Sequence, residues 1–336
     1  MKLADLIFDY PNELIATQPS RPSRVMMVND NQPSEISVDE LLNQFCAGDC
    51  LVINNTKVLK RRVFADGLEI LFLDPLKSES GDLHWQVLMP SKKLAIGDQI
   101  PVAQGVTLTL VEKGRPQIVK SNIPLDEDFF AKFGQLALPP YIQKQRNHRQ
   151  TLSQDEQWYQ TDWAKIAGSF AAPTASLHFN EQQLQQLRSR GVMVCEITLH
   201  VGLGTFLPVE VDDLSKHIMH SETAFIDSRI WQQIQDCKKN GHKIWALGTT
   251  VTRVLESTAL GKIKPSIIGE TDLMITPGFN FQIVDRLLTN FHQPQSTLLA
   301  LVAGFSDLQT VKKCYQWAID RKFKLFSYGD LTAWIK

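Results

Sequence analysis

Three short stretches of this chain place proton-transferring or anion-binding side chains where a backbone can present them. His217-Ile218-Met219-His220-Ser221-Glu222 groups two imidazoles and a carboxylate. Imidazole titrates near neutral pH, so His217, His220 and Glu222 suit acid–base work or a hydrogen-bonded binding cluster. A metal reading fails on spacing: the string is neither a His-Glu-x-x-His helix nor a zinc ribbon, and no cysteine assists, so no metal is expected. Gly248-Thr249-Thr250, with Arg253 one turn further on, stands at the start of an expected helix. Free N–H groups, the helix dipole, two hydroxyls and a guanidinium there would attract a carboxylate or phosphate, whereas simple capping needs one hydroxyl. His200-Val201-Gly202-Leu203-Gly204-Thr205-Phe206 ends an expected strand. Gly202 and Gly204 let the backbone approach a ligand, although a lone Gly-x-Gly is equally an ordinary turn.

Further polar strings accompany these. A small-residue loop from Gly168 carries Pro173 and Thr174 into His178, and Gly269-Glu270-Thr271-Asp272 and Thr289-Asn290-Phe291-His292 concentrate polar groups. Two basic stretches, Lys57, Lys60, Arg61 and Arg62, then Lys144, Arg146 and Arg149, are candidate RNA contacts or solvated surface. The formal net charge is −1, from 35 basic and 36 acidic residues, which excludes nucleic-acid binding through the whole surface and leaves only a local patch.

The elements that must position these groups fall into two textures. From Val58 to Gln143 short β-type runs, Leu68–Leu73, His84–Met89, Thr107–Val111 and Gln117–Val119, alternate with turn signals, among them Ala65-Asp66-Gly67 and Ser80-Gly81-Asp82. Only Asp126–Phe133 looks helical there, so this stretch predicts a small barrel or sandwich. After Asp155 strands and helices alternate: helix Glu181–Arg190, strand Val192–Leu199, a helix from Asp227 to Gly241, strand Lys243–Leu247, helix Val251–Leu260, strand Leu287–Asn290, helices opening near Ser296 and Asp307, and strand Phe323–Ser327. That alternation predicts an α/β domain with a mainly parallel sheet, residues 1–57 plus 146–336, interrupted by a β-barrel insert, residues 58–145. At 336 residues and 43% hydrophobic content, the chain is large enough for two packed units, which excludes a disordered, collagenous or coiled-coil protein. The longest apolar runs, such as Leu298–Ala303, fall far short of the roughly 20 residues that span a bilayer. Met1-Lys2-Leu3-Ala4-Asp5 offers no signal-peptide core, and five cysteines without paired spacing read as reduced thiols in a cytoplasmic protein.

The ordered set of strings resembles one family, the S-adenosylmethionine:tRNA ribosyltransferase-isomerase of queuosine biosynthesis. It runs through Leu51 to Thr56, Leu138 to Ile142, Ala171 to Ala175, Leu177 to Phe179, Thr198 to Gly202, Gly204 to Phe206, His217 to Glu222, Gly248 to Thr250 with Arg253 and Glu256, and Gly269 to Asp272. Pro277 to Phe279, Val284-Asp285, Thr289 to His292 and Ser327 to Asp330 complete it. No single string is specific; their order over nearly the whole chain is. Ser176 stands where the family has glycine, and Phe170 replaces a smaller residue.

The resemblance implies an α/β domain interrupted by a β-barrel. It also implies transfer and isomerisation of the ribosyl group of S-adenosylmethionine onto 7-aminomethyl-7-deazaguanine at the tRNA wobble position, giving epoxyqueuosine-tRNA, adenine and methionine. S-adenosylmethionine is then a consumed substrate, and no cofactor is expected. A sulfonium acidifies the adjacent 5′-carbon protons, adenine departs more easily when protonated, and the attacking amine must be neutral. The chemistry therefore calls for titratable groups of moderate pKa. His178, His200, His217, His220 and Glu222 are the candidates, with base and acid not apportioned. Asn54, Asn55, Thr56, Pro173, Thr174, Gly202, Gly204, Thr249, Thr250 and Arg253 are expected around the substrate, the last three on the methionyl carboxylate. Glu270 or Asp272 is expected on the deazaguanine edge or the methionyl ammonium, and Asn290 and His292 are alternatives. The expected partner is tRNA, and the expected state a monomer. Rival readings are a tRNA-binding module without catalysis and a methyltransferase; the chain lacks a Gly-x-Gly-x-x-Gly turn followed by an acid.

Overall fold

A computed structural model describes every residue except 66, 77–82, 104, 203, 205–207 and 336. Parts of the Ala65-Asp66-Gly67 turn, of the Gly202–Phe206 string and the whole Ser80-Gly81-Asp82 turn thus lie outside the described residues. The chain forms two compact units: Met1–Val58 with Pro139–Arg149 and Glu156–Lys336, and Leu59–Leu138 with Gln150–Asp155. Residues 139–145, expected in the insert, belong to the first unit, because Pro139-Pro140 opens a helix, Pro140–Arg146, whose Ile142 is buried there.

In chain order the strands are β1 (Arg24–Asn29), β2 (Gln32–Ser37), β3 (Cys50–Asn54), β4 (Thr56–Val58), β5 (Arg62–Ala65), β6 (Leu68–Leu76), β7 (His84–Leu88), β8 (Gln99–Ala103) and β9 (Val106–Glu112). They continue with β10 (Gln117–Ser121), β11 (Ile166–Ser169), β12 (Met193–Leu199), β13 (Glu222–Phe225), β14 (Ile244–Leu247), β15 (Gly269–Thr271), β16 (Arg286–Asn290) and β17 (Leu331–Ile335). The first unit is built on a sheet ordered β15-β13-β12-β3-β14-β16-β17-β1-β2. Every residue of β3 and of β14 is buried, as their apolar runs, residues 50–53 and Ile244–Leu247, require of strands covered on both faces. Leu51, Ile53, Trp245 and Leu247 from these strands share one core cluster with Leu184 and Leu187 of the helix Glu181–Ser189.

This sheet is mixed, not mainly parallel. β12, β3, β14 and β16 run parallel, as do β1 and β17, but β16–β17, β1–β2, β12–β13 and β13–β15 are antiparallel. The reversal at β17 follows from its connection: two helices, Thr297–Phe305 and Leu308–Asp320, separate it from β16, so the chain re-enters from the opposite end. The expected strand Phe323–Ser327 is a loop. Phe326 has φ 70°, which breaks an extended run, and the Asp330 carboxylate accepts the backbone N–H groups of Lys324 and Arg24, fixing the turn.

The second unit is an antiparallel sheet ordered β5-β6-β7-β10-β9-β8, whose outer strands β5 and β8 approach one another in a barrel-like arrangement. Phe72, Trp85 and Phe130 meet edge to face at its centre, Phe130 coming from the helix Glu127–Phe133 capped by Asp126. No helix of the described residues is long and apolar enough to cross a membrane.

Candidate active site

Strands β12, β14 and β16 end on the same side of the sheet, and a cavity of about 640 Å³ opens there, within the first unit. The residues that follow each strand form its wall: Val201 and Gly204 after β12, Gly248 to Thr250 after β14, and Phe291 and His292 after β16. Antiparallel pairing brings the start of β13 to the end of β12, which puts Glu222 on the wall with His217 and His220 just before it. Pro173 and Thr174 of the small-residue loop also line it.

His217 is half-buried and its pKa is lowered by burial and by its neighbour His220, whose ring is exposed. Both line the cavity. A Cβ at Gly204 would sit 2.6 Å from His220 Cδ2, so any larger residue there would displace that side chain. Glu222 and Arg253, by contrast, are engaged with each other. Both are buried; the carboxylate accepts an Arg253 Nη1–H and, at 3.0 Å, the N–H of Gly202. Arg253 also donates from Nε to Leu273 O at 3.1 Å and from Nη2 to Thr271 O at 3.2 Å. The arginine reaches this position because it lies one helical turn beyond Thr249 on the same face. Glu222, expected among the acid–base groups, is therefore an ionic support for Arg253 and the Gly202 loop.

Two further histidines are neutral. His178 does not line the cavity: its Nδ1 meets Ser23 Oγ at 2.7 Å, its Nε2 meets Asn290 Nδ2 at 3.0 Å, and burial with nearby Arg21 lowers its pKa to about 3. Asn290 does line it, and its Nδ2 also donates to Phe326 O at 3.1 Å. His292 is on the wall but bonded through Nε2 to Thr289 Oγ1 at 2.9 Å, and burial lowers its pKa to about 3.

Several expected residues lie elsewhere. His200 contacts Thr56 Oγ1 at 2.8 Å and lines a separate apolar cavity of about 240 Å³ with Ile166, Phe225 and Ile268. Asn54 stitches β3 to β12, donating to Leu199 O and accepting from the N–H groups of Leu199 and Thr56; Asn55 bonds Glu196 and Thr198. Their amides satisfy backbone and side chains at the strand ends, so Asn54, Asn55 and Thr56 are absent from the cavity wall. Glu270 is exposed and accepts from Ser221 at 2.7 Å, and Asp272 is exposed and paired with Lys262 at 2.9 Å, which lowers its pKa. Ser176 is fully buried with its hydroxyl unpaired, and neither it nor Phe170 lines the cavity.

The basic stretches divide likewise. Arg61 is 8% exposed, pairs with Glu127 at 2.5 Å and lies over the Phe130 ring; Arg62 is 1% exposed and pairs with Glu69 at 2.6 Å. Both are part of the second unit's interior and are withdrawn from any phosphate. Lys57 is exposed on β4 and Lys60 is half-buried. Arg146 donates to Thr17 O, Arg149 is exposed, and Lys144 is exposed and lines the cavity.

Tyr141, Tyr159 and Phe326, with Pro139 and Pro140, form an aromatic section of the wall that is not among the residues expected from sequence. The Tyr141 hydroxyl is 2.5 Å from Ser327 Oγ, and burial raises its pKa to about 12; burial raises Tyr159 as well, so both phenols stay protonated. Flat apolar surfaces of this kind suit a nucleobase. The Pro-Pro-Tyr string was the available signal, but nothing local says which unit it joins.

Comparison with known proteins adds to this geometry. The family described as Queuosine biosynthesis protein matches residues 3–333. A Dinoroseobacter shibae protein named S-adenosylmethionine:tRNA ribosyltransferase-isomerase is 40% identical over 352 residues, covering 98% of this chain and 97% of that protein. A Treponema denticola protein of the same name is 37% identical over 341 residues, covering 96% of each. The crystal structure of an S-adenosylmethionine tRNA ribosyltransferase from Thermotoga maritima is similar with a TM-score of 0.55 and 27% identity, over 98% of this chain and 100% of that one.

Proposed function

From the premise that the chain belongs to the queuosine biosynthesis protein family, we infer that it is an S-adenosylmethionine:tRNA ribosyltransferase-isomerase. It transfers and isomerises the ribosyl group of S-adenosylmethionine onto 7-aminomethyl-7-deazaguanine at the tRNA wobble position. The products are epoxyqueuosine-tRNA, adenine and methionine. The observation that carries this reading is the near-complete coverage, at about 40% identity, of relatives bearing that name. The cavity fits it: an aromatic section for a base, two exchangeable imidazoles, and a helix start that favours an anion.

In this reading His217 and His220 carry the proton transfers, one removing the acidified 5′ proton and one delivering a proton to departing adenine. His178 and His292, held neutral, position Asn290 and Thr289 instead of exchanging protons. S-adenosylmethionine is a substrate consumed in the reaction, no cofactor takes part, and the protein acts as a cytoplasmic monomer. The discriminating experiment is product identification after incubation with S-adenosylmethionine and precursor tRNA. Adenine with methionine supports the reading; S-adenosylhomocysteine indicates methyl transfer, and no product indicates a binding module.

A further inference from the structure

The helix Thr249–Ala259 starts on the cavity wall without a side-chain cap. Its N-cap is Gly248, at φ 102°, which has no side-chain oxygen to offer the first-turn N–H groups, and these have no intrahelical acceptor. Thr249 supplies a second and independent sign. It is 7% exposed and lines the cavity, yet its hydroxyl makes a hydrogen bond to no described residue. The side chain is mostly buried but its oxygen is not enclosed, so the hydroxyl is open to pair with whatever fills the cavity. Thr250 beside it receives only a 3.4 Å contact from Asn54 Nδ2 on its oxygen, which leaves its own proton to donate. The cation that the sequence brings to this point, Arg253, is neutralised by Glu222.

We propose that this helix start, with the Thr249 and Thr250 hydroxyls, binds the methionyl carboxylate of S-adenosylmethionine by hydrogen bonds and the helix dipole, without a guanidinium; this rests on the functional reading given above. A carboxylate fits better than an RNA phosphate because Thr249 is buried in the wall, within reach of a compact group on a small ligand and not of a polymer backbone. Arg253 is then a positioning residue, holding Glu222 and through it the Gly202 N–H.

Calorimetric Kd values for S-adenosylmethionine and for its decarboxylated analogue, on the parent, Thr249→Val and Thr249→Ser, test this. Loss of a hydrogen bond to a charged group should weaken S-adenosylmethionine roughly tenfold or more in the near-isosteric Thr249→Val. The decarboxylated analogue should bind parent and Thr249→Val alike, and Thr249→Ser should restore most of the affinity. Equal losses for both ligands would overturn the proposal, showing that Thr249 only shapes the cavity. Unchanged S-adenosylmethionine affinity with weakened tRNA binding would overturn it in favour of a phosphate. A parent protein that binds tRNA and not S-adenosylmethionine would overturn the functional reading itself.

Discussion

Replacing Arg253 by alanine should cost stability first. Its side chain and that of Glu222 are 7% and 6% exposed, so solvent screens the pair little. Removing the arginine leaves the Glu222 carboxylate buried with the Gly202 N–H as its remaining partner, and two backbone carbonyls, Leu273 and Thr271, lose a donor. Breaking one side of a buried pair costs about 3–5 kcal/mol, and the carbonyl losses act in the same direction. For a chain of this size each kcal/mol moves Tm by roughly 2 °C, so Arg253→Ala should melt about 6–10 °C below the parent. Replacing both partners, Arg253→Met with Glu222→Leu, removes both charges and should recover most of the loss. Thermal melting followed by circular dichroism, beside calorimetry with S-adenosylmethionine, checks this. An Arg253→Ala protein within about 2 °C of the parent Tm, yet binding S-adenosylmethionine tenfold more weakly, would refute the argument and make Arg253 a ligand contact.

Acid should destabilise the fold through His178 and His292. Their folded pKa values near 3 lie below the ordinary 6.5, so an unfolded chain takes up protons first as pH falls; the stability is complete above about 6.5 and declines toward 3. By pH 5 each histidine should cost about 2 kcal/mol in urea unfolding, and His292→Gln should flatten the pH dependence; an unaltered dependence would contradict its neutral burial. Lys144→Ala should reduce the salt slope of tRNA binding by about 0.7–0.9, while Arg62→Ala should leave the slope and lower stability; the reverse pattern would exchange their roles. Activity should survive chelation and dialysis, because Glu222 is already committed to Arg253 and Gly202, and among the described residues no third ligand joins the two nearby histidines; loss of stoichiometric zinc together with activity would contradict this.

Residue pattern made some features legible and left others hidden. The helices capped by Asp126, Asn180, Asp227, Ser296 and Asp307 were readable because their N-cap signals are local. The reversed entry of β17 was not, since strand direction depends on how helices pack rather than on the strand's composition. Polar strings at the ends of β12, β14 and β16 pointed to the cavity because parallel strands present their carboxyl ends together. What the strings do not encode is which polar groups already have partners. Asn54 and Asn55 read as substrate contacts but are taken by β12; Arg61 and Arg62 read as a basic surface but meet Glu69 and Glu127, distant enough in the case of Glu127 to be invisible locally. His200 sits one residue beyond β12, yet its ring turns to Thr56 rather than to the cavity.

The most direct test of the functional reading is a single-turnover reaction with S-adenosylmethionine carrying label in the ribose in one sample and in the methyl group in another. The ribose label should enter precursor tRNA in equal amount with the adenine and methionine released, and the methyl label should leave with methionine. Methyl label in the tRNA with S-adenosylhomocysteine released, or adenine and methionine formed without ribose label in the tRNA, would contradict it.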